Sequence, residues 1–262
     1  MPSKNGTSNH EASNHGASSN GASNKGTTLP VIQGLWVGDS LSSMERLCIL
    51  SFLRHGHRFR LFTYGPVRNV PSGTEIFDGN EILSRSSIFQ YANGSFAGFA
   101  NFFRYKLLLD QGGWWVDLDT ICLKPFDFPQ EYVFSSEMHH GTPVVDSAVI
   151  KVPQGSEFCA HAWRVCLSKD PKNLIWGETG PRLAGDTVEL LGLRQYVVGP
   201  EVFCPVDPDT WEEIFDPNGR KEFGADTRAV HLWNELWRRG ELDKNAAYAP
   251  GCIYEWLKAA YL

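Results

Sequence analysis

The sequence predicts an α/β fold with a mostly parallel central sheet flanked by helices. Two observations predict it. Short apolar segments of strand character alternate with segments whose apolar residues recur at helical spacing, and glycine, proline or aspartate punctuates nearly every junction. The segment VIQGLWVG (31–38) is apolar, ends in glycine and reads as a first strand. Asp39 or Ser40 is placed to cap a helix over 41–54, in which Leu41, Met44, Cys48 and Phe52 share a face. RFRLFTYG (58–65) alternates as a strand before a Gly-Pro turn, and TEIFDGN (74–80) is a weaker strand. From Ser95 or Ala97 to Asp110, the residues Phe102, Tyr105, Leu108 and Leu109 make an apolar stripe. Gly112-Gly113 stops that helix as a left-handed cap would.

The strand WWVDLD (114–119) follows, then a short ICL (121–123) ahead of Pro125. YVFSS (132–136) and VVDSAVIKV (144–152) read as further strands, with a helix over 157–167. The bend WGETGPRLAGD (176–186) leads into another helix. EVFCPV (201–206) and AVHLW (229–233) are expected as late strands. Ile253, Trp256, Leu257 and Ala260 line one face of a last helix, expected to dock on the core, with peripheral membrane contact as the rival use. In open α/β sheets ligands bind beyond the carboxyl ends of the strands. Asp117 and Asp119, where WWVDLD leaves the sheet, therefore mark the expected site.

Composition narrows the function classes. Residues 1–28 are nearly all Ser, Asn, Gly, Ala and Thr, with no large apolar side chain between Met1 and Leu29. Such a segment cannot offset its ordering entropy by burial, so a disordered tail is expected. Residues 29–262 fit one domain. A net charge of −6 without a basic stripe argues against nucleic-acid binding, and no apolar run approaches transmembrane length. Six scattered cysteines, none in a C-x-x-C pair, point to buried thiols in a reducing compartment, with cytoplasm as the default.

The acidic pair admits several readings. As ordinary strand-end residues, two aspartates need no function. Here Trp114, Trp115, Val116, Leu118, Ile121 and Leu123 surround them, and partly desolvated carboxylates raise each other's pKa unless a cation lies between them. Mg²⁺ or Mn²⁺ meets that need and leaves positions for water and a diphosphate, whereas the oxygen-rich loop of a calcium site is absent. VDLDTI also resembles the first motif of haloacid-dehalogenase-like phosphohydrolases, which would make Asp117 a nucleophile and Asp119 a general acid. In that family the motif usually sits on the first core strand with a later Asp-Asp pair, and this sequence offers neither.

A longer stretch, ANFFRYKLLLDQGGWWVDLD (100–119), resembles the pattern S-D-x-x-R-y-x-x-L-x-x-x-G-G-x-Y-x-D-x-D of glycosyltransferases with the DXD sugar-binding region. That group includes initiating fungal mannosyltransferases, α-1,4-galactosyltransferases, capsular polysaccharide enzymes and, more remotely, large glucosylating toxins. LWVG (35–38) resembles the family's first-strand segment and HLWNELW (231–237) its C-terminal H-x-W segment. The resemblance implies a GT-A (Rossmann-like nucleotide-diphospho-sugar transferase) fold, a UDP- or GDP-sugar donor and Mn²⁺ or Mg²⁺. It implies retaining hexosyl transfer to a glycan, glycolipid or protein acceptor, in polysaccharide biosynthesis or a kindred pathway. Asp119 would bind the metal, with Asp117 on the metal or the donor's ribose and sugar. Arg104 would reach the donor sugar or phosphate. Asn101, where the family usually has Asp, lies on the same helix face as Arg104, and the missing charge leaves donor preference open.

By the same resemblance Trp36 would stack on the base, with a core tryptophan as the equal alternative. Trp115 would lie beside the donor, with core packing as its rival. His231 would supply a late metal ligand or a diphosphate contact. Asp146, expected at a strand end, would act near the anomeric carbon or serve a turn. Glu178, Gly180 and Pro181 resemble a turn lining the acceptor side, and His139 and His140 are expected in a loop. A non-catalytic nucleotide-sugar-binding module is the alternative from another class.

Overall fold

The computed structural model describes Gly6, residues 29–219 and residues 222–262; the remainder of the tail expected over 1–28 lies outside the described residues. The chain begins with β1 (Ile32–Trp36) and α1 (Ser43–Arg54). The cap is Ser42 rather than Asp39 or Ser40. Its side chain accepts from the Met44 N–H while Glu45 reaches back to the Ser42 N–H at 2.6 Å, a reciprocal capping box. Next come β2 (Phe59–Thr63), β3 (Glu75–Asp78), α2 (Ala97–Gln111), β4 (Gly113–Val116) and β5 (Thr120–Cys122). A hairpin of β6 (Val133–His139) and β7 (Thr142–Val152) precedes α3 (Glu157–Leu167) and α4 (Pro181–Leu190). The chain closes with α5 (Pro200–Phe203), β8 (Ala229–His231), α6 (Asn234–Arg239) and α7 (Ile253–Tyr261).

Six strands form one sheet in the order β3-β2-β1-β4-β7-β6. The pairings among β3, β2, β1 and β4 are parallel, and β7 and β6 are added antiparallel. The sheet is mostly parallel, as expected, and its antiparallel edge is made by the hairpin. His140 (φ 47°) and Gly141 (φ 78°) both take positive φ in a two-residue connection, the geometry that folds consecutive strands back on each other. It also moves Asp146 from a strand end into the interior of the eleven-residue β7. The segments ICL and AVHLW pair with each other as β5 and β8 in a separate two-stranded sheet. EVFCPV is not a strand: Pro200 opens a short helix there, its fixed φ suiting a first helical position.

The sheet is apolar on both faces, as a sheet covered on both sides must be. Adjacent residues take opposite sides. Trp114 and Val149 join the core formed with α1 and α7, while Trp115 and Ile150 join the core formed with α2, α3 and α4. On α7, Ile253 and Leu257 are buried but Trp256 is 43 % exposed, so the docking face is narrower than the sequence stripe. Gln33 is buried in β1, and its side-chain amide donates to the carbonyls of Gly112 (2.9 Å) and Trp114 (3.3 Å), tying the start of β4 to its neighbour. All six cysteines are free and buried. No helix among the described residues is long and apolar enough to cross a membrane.

Helix α2 ends at Gly112, whose φ of 64° is positive as expected, but whose ψ of −161° lies outside the left-handed helical region. A β-carbon there would meet the Gln154 backbone nitrogen at 2.3 Å. Both features require glycine. Gly112→Ala should therefore destabilise the chain by about 2–4 kcal/mol. Gly94→Ala, with a similar φ of 82° but open space around the β-carbon, should cost no more than ~1 kcal/mol. Paired urea denaturation curves read the difference.

Candidate active site

Because β1 and β4 run parallel, their carboxyl ends open on the same side, and a cavity of about 630 Å³ lies there. Every residue singled out above for donor, metal or catalytic contact lines it: Trp36 from β1, Asn101 and Arg104 from α2, and Trp115 from β4. Asp117 and Asp119 line it just past β4, as do Asp146 from β7 and His231 from β8. The two acids stand beyond the strand rather than within it. The Asp117 carbonyl accepts the Thr120 N–H at 3.0 Å, so Asp117 to Thr120 form a turn that carries both carboxyls into the cavity wall.

The two carboxylates have different partners. Arg104, 2 % exposed, donates to Asp117 Oδ1 at 2.5 Å and to Asn101 Oδ1 at 3.0 Å, and its guanidinium lies 5.1 Å from the Trp115 ring centre. The Trp115 indole N–H donates to the same Asp117 Oδ1 at 2.8 Å. Both side-chain hydrogen bonds of Asp117 thus fall on one oxygen. Asp119 Oδ2 faces His231 Nε2 at 3.2 Å and accepts the Asn234 N–H at 2.8 Å. Backbone geometry enforces that meeting, since the β5–β8 ladder sets Thr120 opposite His231 and the Leu232 N–H donates to the Asp119 carbonyl.

Electrostatics separates the pair. Burial pushes Asp117 above the usual carboxylate range, and the charge of Asp119 adds to this against the pull of Arg104. Burial opposes ionisation of Asp119 too, but His231 and the Asn234 N–H outweigh it and hold that carboxyl below its usual range. Burial likewise disfavours the His231 cation, and Asp119 more than compensates, raising it well above an ordinary histidine.

The remaining candidates are placed as follows. Trp36 is half-buried, packing on the core while one side lines the cavity, with Lys244 Nζ 5.6 Å from its ring centre. Trp115 is buried against Phe103 and spends its N–H on Asp117. Trp114 packs wholly in the core against Phe126 and Phe128. Asn101 uses its oxygen for Arg104 and its amide nitrogen toward Thr179 at 3.5 Å, a donation that the family's aspartate could not make. Asp146 accepts from Ser135 Oγ (3.2 Å) and the Ala148 N–H (3.0 Å). Pro181 lines the cavity; Glu178 instead pairs with Lys169. Of the expected loop histidines, His139 ends β6 and His140 occupies the hairpin turn.

Three groups escaped sequence reading. Glu137, on the β6 face shared with Ser135, lines the cavity. Burial, then the neighbouring Asp146, push it up to about 8. The register irregularity between Phe134 and Ser136 breaks period-two alternation just before it, so no strand pattern points to it. Cys204 lies 3.9 Å from both Asp146 Oδ2 and His231 Nδ1. Trp176, 39 % exposed, stands at the cavity mouth under Arg239, whose guanidinium is 4.8 Å from its ring centre.

The cavity lies at the carboxyl ends of parallel strands, where open α/β sheets bind ligands, and has an acidic pair and an arginine on its wall. Residues 37–135 match the family model described as glycosyltransferase sugar-binding region containing DXD motif. Over that region, which is less than half of the chain, it matches the sugar-binding region of DXD-containing glycosyltransferases, which supports an enzyme. Among solved structures, it is similar to one titled PaToxG Glycosyltransferase. The TM-score is 0.48 at 14 % identity, over 64 % of this chain and 76 % of that one. It is also similar to a structure titled as a transferase mutant, with a TM-score of 0.44 at 10 % identity over 63 % of this chain and 85 % of that one. No curated protein sequence matches the chain.

The Asp119–His231 pair makes stability pH-dependent in the metal-free chain. The raised His231 pKa contributes stability that is complete below 6.5 and is lost as pH rises through the raised value. The lowered Asp119 pKa contributes stability that is complete above 3.8 and is lost as pH falls through the lowered value. Unfolding free energy measured in a chelator between about pH 5 and pH 9 should decline on the alkaline side. His231→Gln should flatten that decline.

Proposed function

We propose that residues 29–262 form a metal-dependent, retaining hexosyltransferase domain. It moves a hexose from a UDP- or GDP-sugar to a glycan, glycolipid or protein acceptor. The observation that carries this reading is the convergence of Asp117, Asp119, Arg104 and His231 on one cavity at the carboxyl ends of β1 and β4. Two carboxylates and an imidazole form an oxygen-rich donor set with one nitrogen, which suits Mn²⁺ and also admits Mg²⁺. Asp119 and His231 already face each other at 3.2 Å; Asp117, with both side-chain hydrogen bonds on Oδ1, lines the same cavity, but its oxygens do not lie within 4.8 Å of both, so it would have to move to join them. A divalent ion held there would stabilise the negative charge of a departing nucleoside diphosphate.

The chain's own residues supply the rest. Arg104 fixes Asp117 and offers a guanidinium for the donor's phosphate or sugar, and Asn101 holds that guanidinium from behind. Trp36 presents a ring to the nucleotide base, and the buried Trp115 orients Asp117. Asp146 and Glu137, side by side on the cavity face of the β6–β7 hairpin, meet the sugar hydroxyls and the acceptor nucleophile. The cavity volume is in the range of sites that enclose a small ligand. Free, buried thiols suit a reducing compartment such as the cytoplasm. The phosphohydrolase reading has less support, because Asp117 Oδ1 is bound by both Arg104 and Trp115 and the motif follows the fourth strand rather than the first.

A panel of nucleotide sugars with and without Mn²⁺, read by thermal shift and by release of nucleoside diphosphate, tests this function. One base should stabilise the fold only with the metal, by ~2.7 kcal/mol at a hundredfold excess over Kd. Asp119→Asn should lower turnover by about 10²-fold or more while the chain still folds. Equal stabilisation without metal, or unchanged turnover in that variant, would overturn the proposal.

A further inference from the structure

Behind the Asp119 side of the cavity lies a cluster whose donor chemistry differs from that of the acidic pair. Asp146 from the interior of β7, Cys204 just after α5 and His231 at the end of β8 are all buried, and one ligand atom from each lies within 4.8 Å of the others. Cys204 Sγ is 3.9 Å from Asp146 Oδ2 and 3.9 Å from His231 Nδ1. Ligand atoms around a tetrahedral zinc-class ion, with bonds of about 2.0–2.3 Å, stand roughly 3.3–3.8 Å apart. A small contraction brings the three to bonding distance. It is the one grouping of this kind among the described residues, and none of the other five cysteines takes part in it.

We infer that Asp146, Cys204 and His231 form a second cation position that takes a thiophilic divalent ion of the zinc class. Three features argue for it beyond proximity. The imidazole is oriented from its far side, where Asp119 Oδ2 sits 3.2 Å from Nε2. A carboxylate that accepts from one ring nitrogen fixes the tautomer and leaves the other nitrogen's lone pair for a metal, here Nδ1 facing the thiol. The charges also balance: a carboxylate, a thiolate and a neutral imidazole cancel a doubly charged ion, so the buried site is neutral when filled. Finally, Asp146 and His231 line the cavity, which gives the ion an approach and a fourth, water-filled position, while the sulfur favours zinc over magnesium or manganese. On binding, the thiol proton and the Nδ1 proton of the imidazolium leave to solvent, giving the thiolate and neutral imidazole counted above, and no other bond changes.

The site shares His231 with the ion proposed for the acidic pair. One neutral imidazole cannot present lone pairs at both nitrogens, so filling the thiol-bearing position withdraws Nε2 from the other. This antagonism rests on the proposed function; the cation position itself does not.

Cobalt(II) is the probe, added to the metal-free full chain and followed by absorbance. One equivalent should produce thiolate-to-cobalt charge transfer in the near ultraviolet, and zinc should remove it. Cys204→Ser should abolish the band. Asp119→Asn should retain it while losing metal-dependent donor stabilisation, which separates this inference from the functional one. X-ray absorption of the zinc-loaded unmodified chain should find one sulfur at ~2.3 Å, a readout that needs no variant to fold. No charge-transfer band, a band that survives Cys204→Ser, or a zinc shell of oxygen and nitrogen alone would overturn it.

Discussion

Two carboxylates on the wall of one cavity repel each other, and partial burial makes that repulsion costly unless each has its own positive partner. The architecture around the site follows from meeting that requirement twice. Arg104 reaches Asp117 from α2, and His231 reaches Asp119 from β8, a strand far along the chain. Each counter-charge is itself held: Arg104 by Asn101 and the Trp115 ring, His231 by the β5–β8 ladder. The acids are thereby fixed in position before any ligand arrives.

The same requirement explains why the sheet is mixed. A purely parallel continuation beyond β4 would need a crossover helix, which would lie over one face. The β6–β7 hairpin instead lays β7 beside β4 with β6 at the sheet edge, and brings Glu137 and Asp146 into the cavity. A register irregularity between Phe134 and Ser136 accompanies this, a local bend of the kind that re-aims side chains near sites. The cavity thus has an arginine-bearing wall from α2 and an acidic wall from the hairpin. The turn after β4 joins them.

His231 links the site to the cluster behind it. Its two nitrogens face different chemistries, carboxylate oxygen at Nε2 and thiol sulfur at Nδ1. Histidine is the side chain whose charge and ligation change most readily under small changes of surroundings, and here it stands between a carboxylate and a thiol.

Much of this was legible in one dimension. The alternation of strands and helices, the apolar stripe of α2, the glycine stop at Gly112 and the acids past WWVDLD all arise from local chemistry: side-chain spacing, backbone freedom and the period of each element. Residues with local signals, such as Arg104 in register with the glycine pair and the two aspartates, were found for the same reason. Direction of pairing was not legible, because a strand's own sequence scarcely distinguishes parallel from antiparallel neighbours when both faces are buried. EVFCPV read as a strand because its apolar residues carry no period over so short a span, and Pro200 decided otherwise. Ser42 displaced Asp39 and Ser40 as the cap because Glu45 stands three residues beyond it and closes the reciprocal bond. Glu137 and Cys204 became site neighbours only through tertiary contacts across distant segments, the thiol lying 27 residues from His231 in the chain and 3.9 Å from it in space. The amino-acid order by itself determined which elements form and which residues carry charge. Only folding decided which charges meet, because meeting depends on strand direction and on closures between segments that no local propensity encodes.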